Sequence, residues 1–486
     1  MTFNHKVIFR TISIVILFEG IAMLFPMVCA VYYQERTTAS AFFLTAISCI
    51  AFGLTARRYF GYSTLKIKTR EGYYVAFLCW IIVCIIGALP YFLSENDYSF
   101  AESLFESAAG WSTTAARVLD INTTPNSLLL WKSICSWLGG MGILILTLSI
   151  FPILGVHGQK MAAAEVPGPE LEKMTAKMGE TAKISYGIYI ALTFLELCLL
   201  LPSGLNPFDA LLNTLTTIST SGVVNLNNDI SMHFTPYVKC VFAIFSLIGS
   251  LNFMIYFFIY AGKWRKALNS IELRTYLTIL LVCSVSIAFI LYGSGTYDSL
   301  SESLIDATTQ SVSFGSTSGF TVADITKWPP ACHALLIMLI FIGACGNSTG
   351  GSLKVIRVII WFKLIMRGIY KRIHPKAVKP IMLQGKPVTS ASASSITVFI
   401  MLYFMFYLAS CLILALENQD LLSTLTGTLA LFSNNGTGLG IFVDGNYSVL
   451  SYGGKIFSSV LMLAGRLEIY AIIVLMSRSF WNSDRI

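Results

Sequence analysis

The chain has 486 residues, 55% of them hydrophobic and only 12% charged, with a mean hydropathy of +0.71 and a formal net charge of +8. A soluble domain carries roughly 25% charged residues to keep its surface wet, so the solvent of this chain is lipid, which excludes a secreted disulfide scaffold, a disordered chain and a cytosolic enzyme. The positive charge is segregated by position and signals no nucleic acid, and the eleven cysteines contain no C-x-x-C pair that would bind zinc or cycle as a redox couple.

A bilayer core takes about 20 apolar residues per helix. Runs of that kind occupy 11–32, 39–56, 74–93, 128–155, 185–202, 235–261, 275–293, 331–366, 396–416 and 455–479. The first is long enough to span and lacks an A-x-A cleavage site, so no removable signal peptide is expected. Ten spans put both termini on one side. Connections after the second, sixth and eighth runs are basic (Arg57, Arg58, Lys66; Lys263, Arg265, Lys266; Lys363, Arg367, Lys371), whereas alternate ones are acidic (Glu95, Asp97; Asp298, Glu302; Glu417, Asp420). The positive-inside rule therefore makes both termini and all basic loops cytoplasmic.

The outer connections are too long and too apolar for simple turns. They read FAESLFESAAGWSTTAARV, NPFDALLNTLTTISTSGVV, SESLIDATTQSVSFGSTSGFT and QDLLSTLTGTLALFSNNGTGLG. Each holds an acid, an apolar stretch of about ten residues, too short to cross a bilayer, and then a Ser/Thr/Asn cluster with a small residue. Those small residues, Ala115, Gly222, Gly319 and Gly436, are spaced by 107, 97 and 117 positions. A fourfold helix, re-entrant loop, helix repeat follows. The expected fold class is an all-α polytopic membrane protein of four fused helix–pore-loop–helix repeats behind two extra transmembrane helices. Its divisions are 1–70, then 71–180, 181–270, 271–388 and 389–486 for the four repeats. Non-helical backbone at membrane depth is tolerated only inside protein or along a watery cavity, and carbonyl rings that replace a hydration shell hold a desolvated monovalent cation. Ordinary small-residue packing between helices is the competing explanation for any single cluster.

These residues, with PILGVHGQ, AEVPGPE, GACGNSTGGSLKVIR and AGRLEIY, resemble the membrane subunits of Trk/Ktr-type bacterial potassium transporters, and the two extra N-terminal spans resemble the Trk branch. The resemblance implies potassium uptake across the bacterial inner membrane, with K+ as the transported ion and no cofactor in this chain. It also implies a homodimer gated by a separate cytosolic nucleotide-binding (NAD or ATP) ring. Ion-lining positions implied by it are Thr113, Thr114 and Ala115; Thr220, Ser221 and Gly222; Thr317, Ser318 and Gly319; and Asn434, Asn435 and Gly436. The sequence departs from the family at Ala115, where a filter glycine is expected, and at Arg117, where a small polar residue is expected. If Ala115 must be left-handed, the cost is roughly 1–2 kcal/mol, and Arg117 would repel cations unless neutralised, with Asp120 as a candidate partner. A locally adjusted working filter and a sodium-permeable or weakly selective one are both open, as is a non-conducting paralogue.

The eighth run is broken by Gly343, Gly346, Asn347, Ser348, Thr349, Gly350 and Gly351, a stretch too rich in glycine to continue a helix. It is an expected intramembrane gate beneath the third filter, against the alternative of a packing kink. Arg466, in an apolar final run, costs at least about 2.5 kcal/mol on insertion scales and should face a pore or a partner; an electrostatic barrier and a structurally paired arginine are the two readings. Glu19 and Glu196 are intramembrane carboxyls open to a relay role or a structural one. Segment 353–372 reads as an interfacial helix that meets anionic lipid or docks the regulatory ring. No H-E-x-x-H, G-x-S-x-G or G-x-x-x-x-G-K-[ST] occurs, so no enzyme is expected.

Overall fold

Lipid offers backbone groups no hydrogen bonds, so an apolar run that enters it coils into helix. The computed structural model describes residues 5–60, 69–142, 178–223, 234–377, 380–383 and 386–467, with Ile469, Ile473, Leu475 and Phe480. The PILGVHGQ and AEVPGPE stretches and Glu468 lie outside the described residues.

Six helices among the described residues are long and apolar enough to cross a membrane: Ile8–Tyr32, Arg36–Phe60, Glu71–Phe92, Lys183–Ser203, Ile271–Gly293 and Ser392–Glu417. They match six of the ten expected runs. Of the other four, two are broken within the described residues and two are described only in part. Run 235–261 is two helices, Pro236–Ser250 and Phe253–Tyr260, bent by 89°; run 331–366 divides into Pro330–Ile342 and Val355–Ile373 around a loop; Asn126–Gly140 and Tyr452–Arg466 end after fifteen residues each. Hydropathy sees the apolar length but not these breaks. The divisions expected at 70 and 180 also fall inside the first turns of helices that begin at Thr69 and Met178.

Four half-length helices, Phe100–Trp111, Pro207–Ile218, Leu300–Gly315 and Leu421–Phe432, occupy the outer connections. Their starts are written locally. Ser99 and Glu102 form a reciprocal capping box, Asn206 caps through Phe208 N and Asp420 through Ser423 N. Each half-length helix packs against the long helix before it, and each broken helix packs against the next half-length helix: Asn126–Gly140 on Pro207–Ile218, Pro236–Ser250 on Leu300–Gly315, Pro330–Ile342 on Leu421–Phe432, and Tyr452–Arg466 back on Phe100–Trp111. The order closes into a ring. Two ion pairs bolt neighbours across it, Lys455 to Glu102 at 2.8 Å and Lys239 to Asp306 at 2.7 Å.

The N-terminal hairpin is tied to this ring by chemistry as well as packing. The Glu35 carboxylate accepts from Asn126 N at 2.7 Å and Ser127 N at 3.2 Å, which places a negative charge at the positive end of Asn126–Gly140.

Candidate functional site: a ring of helix ends over a glycine loop

All four half-length helices end in the same way. A serine closes each: Ser112, Ser219, Ser316 and Ser433. The next residue is left-handed in every case, with φ of +58° at Thr113, +55° at Thr220, +59° at Thr317 and +58° at Asn434. The residue after that donates its N–H five positions back, from Thr114 to Ala109 O and from Ser221 to Thr216 O at 2.8 Å, and from Ser318 to Ser313 O and Asn435 to Ala430 O at 2.9 Å. This is a helix C-terminal motif that usually takes glycine at the left-handed position. Threonine there is a strained choice, since a β-branched residue at positive φ costs of order 1–3 kcal/mol. Strain repeated at corresponding positions marks a geometry that the surroundings impose.

The four segments meet. A Cβ on Gly222 would lie 2.7 Å from the Ala115 Cβ and 3.0 Å from the Ser318 carbonyl oxygen; one on Gly319 would lie 3.1 Å from the Ala115 Cβ and collide with the Asn435 carbonyl oxygen; one on Gly436 would lie within 2.5 Å of the Ala115 and Ala116 backbone nitrogens. Ala115, Gly222, Gly319 and Gly436 are therefore brought together with Ser318 and Asn435, the other six predicted positions adjoin them in the chain, and close approach explains the three glycines. Their φ values are positive as well: +98°, +66° and +83°. Ala115 is not in the left-handed region, so the penalty expected for alanine there does not arise.

The carbonyls of the meeting segments divide into two sets. At the third position, Gly319 O accepts the Thr437 hydroxyl and Gly436 O accepts the Tyr447 hydroxyl at 2.9 Å. At the first and second positions, Thr113, Thr220, Thr317 and Asn434, then Thr114, Ser221, Ser318 and Asn435, the residues are buried and no hydrogen bond among the described residues reaches their carbonyls. The buried Thr113 Oγ1, Asn434 Oδ1 and Asn435 Oδ1 likewise have no partner. Buried carbonyls in folded proteins are nearly always paired, so eight without a partner among the described residues suit a hydrogen-bond donor or a cation at one convergence.

Behind the first segment, Glu106 accepts from Val118 N at 2.7 Å and Leu119 N at 3.0 Å, and pairs with Lys132 at 2.6 Å, which in turn donates to Ala116 O at 2.8 Å. Gln310 holds the third segment similarly through Phe320 O and Val322 N. Arg117 is half-buried and docks on the fourth segment: its N–H donates to Gly445 O at 2.8 Å and its carbonyl accepts from Tyr447 N at 2.7 Å. Burial pushes the Arg117 guanidinium below its ordinary value, and the charges of Asp444, Glu106 and Asp120, in that order, oppose the shift. At the outer rim, burial raises the Glu102 carboxyl, but Lys455 and the hydrogen bonds from Ser99 outweigh burial and hold it below the ordinary carboxylate range.

Beneath the convergence lies loop 343–354. Thr349 accepts from Thr220 Oγ1 at 3.1 Å and donates through its own hydroxyl to Gly249 O at 2.8 Å; Gly351 N donates to Thr317 Oγ1 at 2.7 Å. A Cβ on Gly350 would sit 2.7 Å from Ser316 O, and one on Gly351 2.1 Å from Ser433 O. The loop thus touches three of the four segments. Gly343 is the one loop glycine with positive φ; Asn347, Ser352 and Lys354 adopt it too. Gly346 N is held by the Glu272 carboxylate at 2.7 Å, Asn347 O by Phe253 N at 3.0 Å and Gly350 O by the Lys354 ammonium. Ser348 Oγ turns back onto Cys345 O at 2.6 Å.

Arg466 reaches this loop from the last helix. Its guanidinium donates to Thr349 O, to Gly139 O and, at 2.9 Å, to Gly140 O. It is a paired arginine that clamps the loop to the first broken helix. The sequence reading missed Gly139, Gly249 and Gly465, each pressed against the end of a half-length helix: a Cβ there would lie 2.0 Å from Trp111 O, 2.5 Å from Ile218 O and 2.1 Å from Phe432 O. The available signal was a glycine near the middle of the apolar run that follows each of these clusters. No group of three or more His, Cys, Asp or Glu that could hold a metal ion occurs among the described residues.

A family model described as "TrkH: Cation transport protein" matches residues 38–484. The chain is 32% identical to the "Trk system potassium uptake protein TrkH" of Salmonella typhimurium, over 99% of this chain and 100% of that one. It is 30% identical to the "Trk system potassium uptake protein TrkG" of Escherichia coli, again over 99% and 100%. The crystal structure of the potassium transporter TrkH from Vibrio parahaemolyticus superposes with a TM-score of 0.88 at 27% identity, covering 99% of this chain and 100% of that one. These relatives are transport proteins rather than enzymes, and this chain, a multi-helix membrane protein, belongs to the TrkH family of cation transport proteins.

Proposed function

We propose that the chain takes up potassium across the bacterial inner membrane through the convergence of its four helix ends. The carrying observation is the set of eight buried carbonyls at Thr113, Thr114, Thr220, Ser221, Thr317, Ser318, Asn434 and Asn435, which have no partner among the described residues. Such oxygens replace the hydration shell of a desolvated monovalent cation, and the C-terminal dipole ends of four helices add negative potential at the same spot. The names of the relatives, potassium uptake proteins, support K+ as the cargo. Ala115, Gly222, Gly319 and Gly436 act mainly by permitting approach; the glycine carbonyls that already accept hydroxyls fix the third layer in place.

Loop 343–352 and Arg466 form the gate. The loop lies under the filter, and Arg466 holds it through Thr349 O while bracing on Gly139 and Gly140. Conduction requires the loop to leave Ser316 and Ser433, and Arg466 to release a carbonyl. The signal for release comes from a cytosolic nucleotide-binding ring, with both termini on that side and the chain working as a homodimer. Helix Val355–Ile373 follows the loop directly, exposes Phe362, Met366 and Ile373, and carries Lys363, Arg367 and Lys371. It meets anionic lipid or the ring, and movement there pulls on the gate. The divisions near 70, 180, 270 and 388 separate the hairpin and four units of this pore.

Two features support a selective filter over a weakly selective one: Ala115 is not left-handed, and Asp444, Glu106 and Asp120 together offset the charge of Arg117. Growth rescue of a potassium-uptake-deficient bacterium at low potassium tests the function. Rescue that sodium does not blunt supports it, and failure to rescue with the chain in the membrane and its ring partner co-expressed contradicts it.

A further inference from the structure

We propose that Glu272 is a positioning residue that latches loop 343–354 to the elbow between helices Pro236–Ser250 and Phe253–Tyr260, and that this latch parts when the loop leaves the filter. Its bearing on conduction rests on the gate reading above, but the contact itself does not. Glu272 stands in the first turn of helix Ile271–Gly293 and is only 5% exposed.

The elbow meets the loop with its own backbone. Cys345 N donates to Ser250 O at 3.1 Å, Phe253 N to Asn347 O at 3.0 Å and Thr349 N to Gly249 O at 3.3 Å. Among these lies the buried Gly346, whose N–H goes instead to a Glu272 carboxylate oxygen at 2.7 Å. The other carboxylate oxygen accepts from Asn252 Nδ2 at 3.1 Å, while Asn252 Oδ1 caps the next helix through Met254 N at 3.0 Å. One carboxylate thus joins loop and elbow, and a charged acceptor makes bonds roughly twice as strong as a neutral one. The elbow and the Glu272 helix are themselves fastened together: Ser250 Oγ lies 2.9 Å from Tyr276 Oη, and Ile255, Ala267 and Leu273 share one buried cluster. The loop is therefore set against a preassembled block.

The latch and the filter contact share a residue. Thr349 accepts from Thr220 Oγ1 at 3.1 Å, donates its hydroxyl to Gly249 O at 2.8 Å and gives its carbonyl to Arg466. Turn 345–348 is closed by Ser348 Oγ on Cys345 O at 2.6 Å, so Gly346 travels with Thr349. A loop that withdraws from Thr220 draws Thr349 off Gly249 and Gly346 off Glu272. A contact made in one state and lost in the other biases the equilibrium between them, so Glu272 favours the closed arrangement.

The test uses the full-length chain in lipid bilayers. Cys345–Gly346 is the one Cys-Gly step in the sequence, so carbonyl-13C cysteine with 15N glycine leaves a single Gly346 amide signal in solid-state NMR. The expected amide proton is downfield in the wild type, as for a bond to a carboxylate, and moves upfield in Glu272→Gln and in Gly351→Ala, whose added methyl drives the loop off Ser433. A wild-type proton without the downfield shift overturns the contact even if no variant folds, as does one that Glu272→Gln leaves in place. A Gly346 signal unmoved in a Gly351→Ala protein whose uptake has risen overturns the release. Rubidium uptake by the chain alone reads the positioning role. Glu272→Gln exchanges a charged bond for a neutral one and raises basal uptake about tenfold; Asn252→Asp sets two carboxylates face to face and raises it too. The double variant Glu272→Gln/Asn252→Asp exchanges donor and acceptor, keeps a capping oxygen for Met254 and leaks less than either single. Wild-type uptake in Glu272→Gln, or a double variant as leaky as the singles, overturns the latch. Should Gly351→Ala leave uptake unchanged, the gate reading and the release fall together, while the Gly346 signal in Glu272→Gln still decides the contact.

Discussion

Gly351→Ala is the most informative single methyl that can be added to this protein. The new Cβ would lie 2.1 Å from the Ser433 carbonyl oxygen and 3.1 Å from the Asn434 Cβ. A carbon and a carbonyl oxygen in contact keep about 3.3 Å or more between them, so loop and filter must separate by roughly 1 Å. Gly351 is not at positive φ, so alanine adds no backbone strain and the perturbation is purely a contact between the two parts. Overpacking of this kind costs about 1–3 kcal/mol. That cost falls on the arrangement in which the loop sits under Ser433 and vanishes once the loop leaves. The closed state loses that much relative to the open one, and at about 1.36 kcal/mol per decade basal conduction rises roughly 5- to 150-fold until the pore is fully open. Radioactive rubidium uptake into proteoliposomes containing the chain alone measures it. Gly346→Ala adds the same methyl to the same loop, but its contacts would be the Glu272 carboxylate and Ile356 at 3.4 Å, an ordinary distance, so its rise is much the smaller. Equal basal uptake in wild type and a folded Gly351→Ala protein would refute the assignment of the loop as the obstruction.

Removing the clamp should act in the same direction: Arg466→Ala deletes hydrogen bonds to Thr349, Gly139 and Gly140 carbonyls, each worth about 1.5–3 kcal/mol when one group is charged, so uptake without the cytosolic partner rises. Within the filter, Ala115→Gly leaves the rubidium-to-sodium flux ratio near the wild-type value, because Ala115 is not left-handed, whereas Gly319→Ala, at φ +66° and in collision with Asn435 O, abolishes uptake. Lys455→Met breaks a pair whose side chains are 11% and 25% exposed and lowers thermal stability toward the low end of the roughly 3–5 kcal/mol seen for broken buried pairs. Because Glu102 is held below its ordinary value, its contribution is complete above the unfolded carboxylate value near about 4.3 and is lost as pH falls through the lowered one. Melting curves from pH 7 downwards should therefore converge for wild type and Glu102→Gln at the acid end, and a constant gap between them would contradict the pairing.

The membrane class, the four outer clusters and the loop were legible because they are properties of local sequence. Charge poverty, an acid followed by a short apolar stretch in each outer connection, and glycine density at 343–351 are read directly along the chain. What escaped notice depends on tertiary contact. The 89° bend after Ser250 lies within one apolar run, and its cause, Asn252 capping the next helix while its amide bonds Glu272, joins two separate segments. Asp120 stands three residues after Arg117 and is visible in the sequence, whereas the pairing of Arg117 with Gly445 and Tyr447, which adds the charge of Asp444, joins distant segments. The resemblance expects a filter glycine at Ala115 and strain there only if the position is left-handed; of the four third positions, Gly222, Gly319 and Gly436 have positive φ and Ala115 does not. The threonines at positive φ could not be suspected at all, since their strain is imposed by the ring.

The proposed function has eight buried carbonyls, without a partner among the described residues, take up a potassium ion. Long-wavelength diffraction from crystals grown in potassium, recorded on either side of the potassium absorption edge, tests this directly. An anomalous peak enclosed by the carbonyls of Thr113, Thr220, Thr317 and Asn434, or by those of Thr114, Ser221, Ser318 and Asn435, is the predicted result. A potassium peak elsewhere in the chain, or filter carbonyls turned away and bonded to protein N–H groups, would contradict it.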